Sequence, residues 1–218
     1  MPIMKLLIVA ASGGLGSTLV REALSRGHQV SVLVRSRAKL AAALPGALER
    51  ITVHEGDATA AAVSRAAAGV DAIISAAPPL PDLARTLAEQ ATAGASKLVW
   101  VAGSSNMLEA DGVTPHHISF GPMGMQFFSA HAPAIAAIQG SAANHVIFCP
   151  GRMSPAASGQ RSSPSPRVYT HAAPQGESPM DYVSYEDAAG AMLDAAEVST
   201  WDRALIQVVS PKAAQTEL

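Results

Sequence analysis

Apolar runs of strand length alternate with stretches of helical period along most of this chain. Residues 4–9 form a largely apolar run of strand length, and 15–26 follow with helical spacing and Leu15, Leu19 and Leu24 as anchors. The same alternation predicts strands over 30–34, 51–54, 70–77, 97–105, 145–149 and 203–209. Helices are predicted over 38–44, ending at Pro45-Gly46, over 60–68, closed by Gly69, and over 83–93, stopped by Gly94. The spacing gives a further helix over 134–139 and leaves the Pro- and Gly-bearing stretch before it irregular. Over 184–197 a helix starts at Ser184 as N-cap, with Asp187 three residues later in the manner of a capping box.

Short buried strands alternating with helices describe a parallel sheet covered on both faces. The expected fold is α/β: a Rossmann-type doubly wound parallel sheet with a small C-terminal substrate lobe or flap. One domain is expected over 1–218, with the core in 1–150 and the flap, last helix and last strand in 151–218. Residues 152–167 are rich in Ser, Pro and Ala without a period and read as a long loop or mobile flap. In such folds ligands bind outside the carboxyl ends of the strands, where the strand order switches.

Composition narrows the classes. Of the 218 residues, 49% are hydrophobic and 15% charged, which excludes a disordered chain, and the net charge of −2 offers no attraction to nucleic acid. Cys149 is alone, so no internal disulfide forms, and no Cys/His spacing suggests a metal site. The apolar run after Lys5 is too short for a signal peptide and no run reaches membrane-span length, so a cytoplasmic protein is expected.

The first strand runs into Ala10-Ala11-Ser12-Gly13-Gly14-Leu15-Gly16 and then a helix, the context that makes a glycine fingerprint credible. Gly13 lets backbone approach a pyrophosphate at the helix N-terminus, and Gly16 permits close helix–sheet packing. Ala10 stands where the first glycine is expected, which is tolerable if its φ stays negative. About 20 residues on, where an NAD site carries a carboxylate, the chain has Arg35, Arg37 and Lys39 and no acid. Arg35 can bind a 2′-phosphate by charge-assisted hydrogen bonds, with Ser12 adding a hydroxyl, so NADP(H) is the expected cofactor.

The segments "IVAASGGLG", "VSVLVR", "HEGDAT", "DAIISAA" and "KLVWVAGSS", in that order, resemble the atypical short-chain dehydrogenase/reductases. Among them the chain is most similar to the NAD(P)H-binding, NmrA-like and flavin/biliverdin-reductase-like proteins, over about residues 4–209. The resemblance implies that Ser12, Gly13, Leu15 and Gly16 hold the phosphates and Arg35 the 2′-phosphate. It implies Asp57 and Ala58 beside the adenine, although Asp57 also reads as the N-cap of the helix at Ala60. Ala76 and Ala77 would leave room for the ribose, Ser104 would sit near the nicotinamide, and Pro150, Gly151 and Arg152 would approach the carboxamide side.

One departure from that family decides the chemistry. Typical members place Tyr-x-x-x-Lys between the fifth and sixth strands, yet nothing between Ser104 and Cys149 is Tyr or Lys. The nearest match is Phe127…His131, and Pro133 speaks against a continuous helix there. Ser104, His131 and Arg152 remain as catalytic candidates. Ser105, His116, His117, Tyr169 and Tyr182 are weaker ones, and Met123, Met125, Phe127 and Phe128 form an apolar cluster that is either core or substrate lining. Cys149 reads as buried and inert. The expected function is an NADPH-dependent reductase passing hydride to a flat apolar acceptor such as a flavin or quinone. The alternatives are an NADP(H)-sensing binding protein without turnover, and a non-redox cyclase or isomerase on the same fold. The expected partner is a small molecule, not nucleic acid or a membrane, with a homodimer allowed.

Overall fold

The computed structural model describes residues 2–162 and 166–211. Its central sheet has eight strands in the order β3-β2-β1-β4-β5-β6-β10-β8. The first five strands are β1 (Lys5–Val9), β2 (Gln29–Val34), β3 (Ile51–Glu55), β4 (Ala72–Ser75) and β5 (Lys97–Val101). β6 (Asn144–Phe148) and β10 (Leu205–Val209) continue the parallel array, and β8 (Arg167–Thr170) closes the edge antiparallel to β10. Strand order reverses between β1 and β4, the switch point of a doubly wound fold.

Alternation along each strand sends residues to two cores. Leu6, Ile8 and Val32 pack beneath α1 (Gly14–Ser25), α2 (Arg37–Ala43) and α7 (Tyr185–Glu197). Leu7, Val9, Leu33 and Ile73 pack beneath α3 (Ala60–Ala66), α4 (Pro81–Gly94) and α6 (Gly121–Gln139). Buried alanines at 188, 189, 191 and 195 keep α7 thin enough to lie close to the sheet and to α1. Arg26, at the end of α1, bonds Asp194 at 2.7 Å and Glu197 at 2.9 Å, and His28 reaches the same Glu197 carboxylate at 2.9 Å. These bonds clamp α1 to α7.

Three stretches depart from the sequence expectation. The irregular stretch before residue 134 is largely helical: α5 (His116–Ser119) precedes α6, which runs unbroken through Pro133. Pro133 and Ser129 are both exposed, so the carbonyl that loses its helical donor can turn to water. β8 was hidden because it is short and polar at both ends. The flap is held rather than free: β7 (Met153–Ser154) pairs with β9 (Val183–Ser184), and the Ala156 N–H donates to Glu186 at 2.7 Å. Arg161 lies 3.6 Å from both Glu22 and Asp194, with its guanidinium against Gly190. Residues 163–165 of the predicted flap lie outside the described residues.

Asp187 ties these parts together. The Ser184 hydroxyl caps its N–H at 3.0 Å, as the capping pattern predicts. The reciprocal half differs, because Ser210 takes the Ser184 N–H at 3.0 Å. The fully buried Asp187 carboxyl instead accepts from the Ser162 N–H at 2.8 Å, the Ser162 hydroxyl at 2.6 Å and the Ser210 hydroxyl at 2.5 Å. One side chain thus fastens the flap and the end of β10 to α7. Replacing Asp187 by Ala removes the buried acceptor of three hydrogen bonds and should cost about 1–3 kcal/mol in urea unfolding. A loss below a few tenths would show that the fastening is idle.

Candidate functional site

The carboxyl ends of the parallel strands form one crest, in the order Asp57–Ala58, Arg35, the glycine turn, Ala76–Ala77, Ser104 and Pro150–Arg152. Six neighbouring strand ends at the usual spacing span about 24 Å. Backbone bonds fix the register of the crest: Ala10 N–H to Leu33 O at 3.2 Å, Ala76 N–H to Val9 O at 3.1 Å, and Ser104 N–H to Pro150 O at 2.9 Å.

In the glycine turn Ala10 has φ +63°, so the expectation of a negative φ fails. Its carbonyl accepts the Gly13 N–H at 3.2 Å, and closing that turn demands the left-handed conformation, at about 1–2 kcal/mol for a residue with a Cβ. The three glycines do different work. A Cβ on Gly16 would press on the Ala10 carbonyl oxygen and come within 2.9 Å of Ala11 Cα, so Gly16 sets how closely α1 approaches the turn. A Cβ on Gly14 would come within 2.6 Å of the Tyr185 ring, which stacks over the turn from the start of α7. A Cβ on Gly13 would meet nothing closer than the Ala10 oxygen at 3.6 Å, so its open side is free for a ligand. Gly13 N-caps α1 with no side-chain cap, and the first turn carries no acidic residue. The helix N-terminus is thereby left for an anion. Ser12 is half-buried and Leu15 buried beside it.

Arg35 and Arg37 are exposed just past β2. Among the described residues the Arg35 side chain has no partner, while the Arg37 N–H donates to Glu55 at 2.9 Å. Ser36 caps α2 by accepting the Lys39 N–H at 3.2 Å. Asp57 is not the cap of α3: Thr59 is, accepting the Ala62 N–H at 3.3 Å, and the exposed Asp57 carboxylate has no partner among the described residues. Ala76 is half-buried and Ala77 buried at the switch point, where a larger side chain would fill the crevice.

Beyond β5, Ser104 and Arg152 converge on one residue that sequence reasoning missed. The buried Ser104 hydroxyl donates to Met180 Sδ at 3.4 Å, and the exposed Arg152 Nε–H to Met180 O at 3.4 Å. Gly151 accommodates the same loop: a Cβ there would come within 2.7 Å of Pro179 O. His131 comes from α6, with its Cδ2 and Nε2 each 3.3 Å from where a Gly103 Cβ would sit, beside Ser105. Its Nδ1 is buried without a partner among the described residues, and burial pulls its pKa below 6.5.

The weaker candidates have structural work. Buried His116 bonds Glu109 at 2.7 Å, and His117 stacks on Phe128 at 4.0 Å while its Nδ1 meets Ser105 O at 3.2 Å. The buried Tyr182 hydroxyl bonds Ser154 Oγ at 3.2 Å. The Tyr169 hydroxyl is buried without a partner among the described residues, and burial raises its pKa. Cys149 is fully buried, which pushes its thiol up, as expected of an inert cysteine. Met123, Met125 and Phe127 are not core: they are 54%, 43% and 47% exposed on α6.

Two outcomes follow for stability. Gly16→Ala should destabilise the protein severely, whereas Ala10→Gly should be neutral or stabilising by up to about 1 kcal/mol in urea unfolding. Loss of stability in the second variant would contradict the strained turn. His131 takes its proton at lower pH when folded than when unfolded, so its contribution is complete above 6.5 and lost as pH falls below it. His131→Gln should flatten the fall in urea midpoint between about pH 7.5 and pH 5.5, to which buried His145 also contributes. An unchanged slope would contradict the burial of His131.

Residues 10–198 match the family model described as NAD(P)H-binding. No curated protein matches the chain detectably. Among solved structures, a Bacteroides thetaiotaomicron protein titled as a candidate epimerase has a TM-score of 0.79 at 22% identity, covering 96% of this chain and 98% of its own. A Veillonella parvula short-chain dehydrogenase/reductase solved in complex with NADP has a TM-score of 0.72 at 16% identity, covering 98% and 97%. The anaerobillin reductase ChuY of Escherichia coli O157:H7 has a TM-score of 0.72 at 19% identity, covering 95% and 97%. With its crest, glycine turn and strand order, the chain belongs to the NAD(P)H-binding family and shares the fold of these solved structures.

Proposed function

We propose that the chain is an NADPH-dependent reductase acting on a flat apolar acceptor of the flavin or quinone class. The observation that carries the cofactor choice is Arg35. It stands exposed at the end of β2 beside the glycine turn, with no partner among the described residues and no acid in the Arg35–Lys39 loop. A guanidinium there attracts a 2′-phosphate, where a carboxylate would repel it. The residues fit the cofactor: Ser12, Gly13, Gly14, Leu15 and Gly16 at the phosphates, Arg35 and Arg37 at the 2′-phosphate, Asp57 and Ala58 at the adenine. Ala76 and Ala77 give the ribose room, and Ser104, Pro150 and Gly151 border the nicotinamide end.

When bound, NADPH supplies a hydride, and the protein's task is to position and shield the reacting groups. An acceptor ring that takes its proton from water needs no tyrosine acid, which suits a segment without Tyr or Lys. The α6 helix that carries His131 also exposes Met123, Met125 and Phe127, apolar surface suited to a flat ring. Ser104 is placed to donate to a ring heteroatom once its hydroxyl leaves Met180. Half-buried His131 can relay a proton beside it, and Arg152 can hold an anionic substituent.

A second reading, cofactor sensing without turnover, is favoured by one observation. Ser104 and Arg152 are both engaged by Met180, so two of the three candidate groups are occupied in this conformation. Turnover decides between the two readings. NADPH consumption that depends on a flavin or quinone supports the reductase, and tight NADPH binding without consumption by any acceptor supports the sensor. Arg35→Ala should weaken NADPH by about ten- to a hundredfold, the worth of one charge-assisted contact, with little effect on NADH. Equal losses for both nucleotides in a binding titration would overturn the 2′-phosphate role.

A further inference from the structure

At the opposite end of the sheet lies a cleft of about 550 Å³, within the ~300–1,000 Å³ usual for small-molecule sites. It opens at the amino ends of β1, β2 and β3, about 17 Å, one strand length, from the glycine turn. Its floor is polar where a sheet face beneath helices is ordinarily apolar. The register pairs Lys5 with Gln29, Ser31 with Thr52 and Leu33 with His54, which places these residues on the α3 side of the sheet. The other face of β3 is conventional, with Ile51 and Val53 packed on the core.

The cleft exists because α3 is short. Its seven residues bury Val63 and Ala66 beside Leu33, and the chain then turns at Gly69, leaving Ser31, Thr52 and His54 lining open space. Arg65 reaches the cleft from α3 and Arg50 from the turn before β3, which with Lys5 makes three cations against one anion, Glu49. Asp71 adds a carboxylate nearby, held by the Lys5 N–H at 2.7 Å. Among the described residues, the side chains of Lys5, Ser31, Arg50, Thr52, His54 and Arg65 have no hydrogen-bond or ion-pair partner. His28, also in the lining, is by contrast committed to Met4 and Glu197. In a chain of net charge −2, such a grouping of cations and hydroxyls is local, not a reflection of composition.

We propose that this cleft is a second binding site, which takes a small doubly charged oxyanion, a phosphate monoester or a dicarboxylate, independently of the nucleotide. Two guanidinium forks and an ammonium neutralise the charge, and the Ser31 and Thr52 hydroxyls donate to its remaining oxygens. The two sources share this chemistry and differ in the shape of the anion.

The test uses the full ¹⁵N-labelled chain with NADP+ in excess, titrated separately with inorganic phosphate and with succinate at constant ionic strength. Saturable shifts of the Ser31, Thr52, His54 and Gly69 amides are expected in at least one titration. Saturation by phosphate alone identifies the phosphate source, and saturation by succinate alone the dicarboxylate. The Arg50→Ala/Arg65→Ala double variant, altered only at exposed positions, should keep its spectrum elsewhere and lose at least about tenfold in affinity. No saturable shift with either anion, or unchanged affinity in the double variant, overturns the proposal. Ser31 and Thr52 are level with Leu7 in the middle of the sheet and Gly69 lies before the start of β4, whereas NADP+ is read at the Gly13–Gly16 amides, so a failure of NADP+ to bind would register separately.

Discussion

The carbonyl oxygen of Ala10 lies directly beneath Gly16, and that close approach governs how α1 leaves the sheet. It brings the N-terminus of α1, which has no side-chain cap, onto the crest at the strand-order reversal, with open space beside Gly13. The turn reaches this shape with an alanine in the left-handed region, at a cost of about 1–2 kcal/mol. That cost is small against the burial of Leu15, Leu19 and Val20 on the same helix, at roughly 1.5–3 kcal/mol for each large side chain. The helix therefore stays seated, and the strain is local. From the other side α7 secures the arrangement: Tyr185 lies on Gly14, and Arg26 joins the end of α1 to Asp194 and Glu197.

The two ends of the crest differ in character. At the proposed adenosine end, Arg35 and Asp57 stand exposed, their side chains unengaged among the described residues. At the proposed nicotinamide end two of the three candidate groups are engaged, Ser104 and Arg152 by Met180, while His131 packs beside Gly103 with its Nδ1 unpartnered among the described residues. Binding needs no rearrangement at the first end. The proposed reduction at the second end needs the Met180 loop to release its contacts, or draws its proton from water with only His131 beside it.

The parallel sheet was legible because its strands are apolar runs bounded by glycine and its helices have a 3.6-residue period, both local signals. Ser184 was readable as a cap for the same reason. What the sequence concealed depends on distant neighbours. Nothing near Ala10 states its φ, which is set by closure of the turn onto Gly13. Pro133 reads as a helix breaker, but its solvent-facing position lets α6 continue. Tyr185 and Met180 reach the site from segments far along the chain, through packing that periodicity cannot encode. Met123, Met125 and Phe127 of α6 read from sequence as core or substrate lining, and they lie exposed.

The account rests on the crest being the nucleotide site, and amide shift mapping of the labelled chain with NADPH tests this most directly. The largest changes are expected at Gly13–Gly16, Arg35, Asp57 and Ala76–Ala77, running along the carboxyl ends of adjacent strands. Changes confined elsewhere, or absent at saturating NADPH, would contradict it.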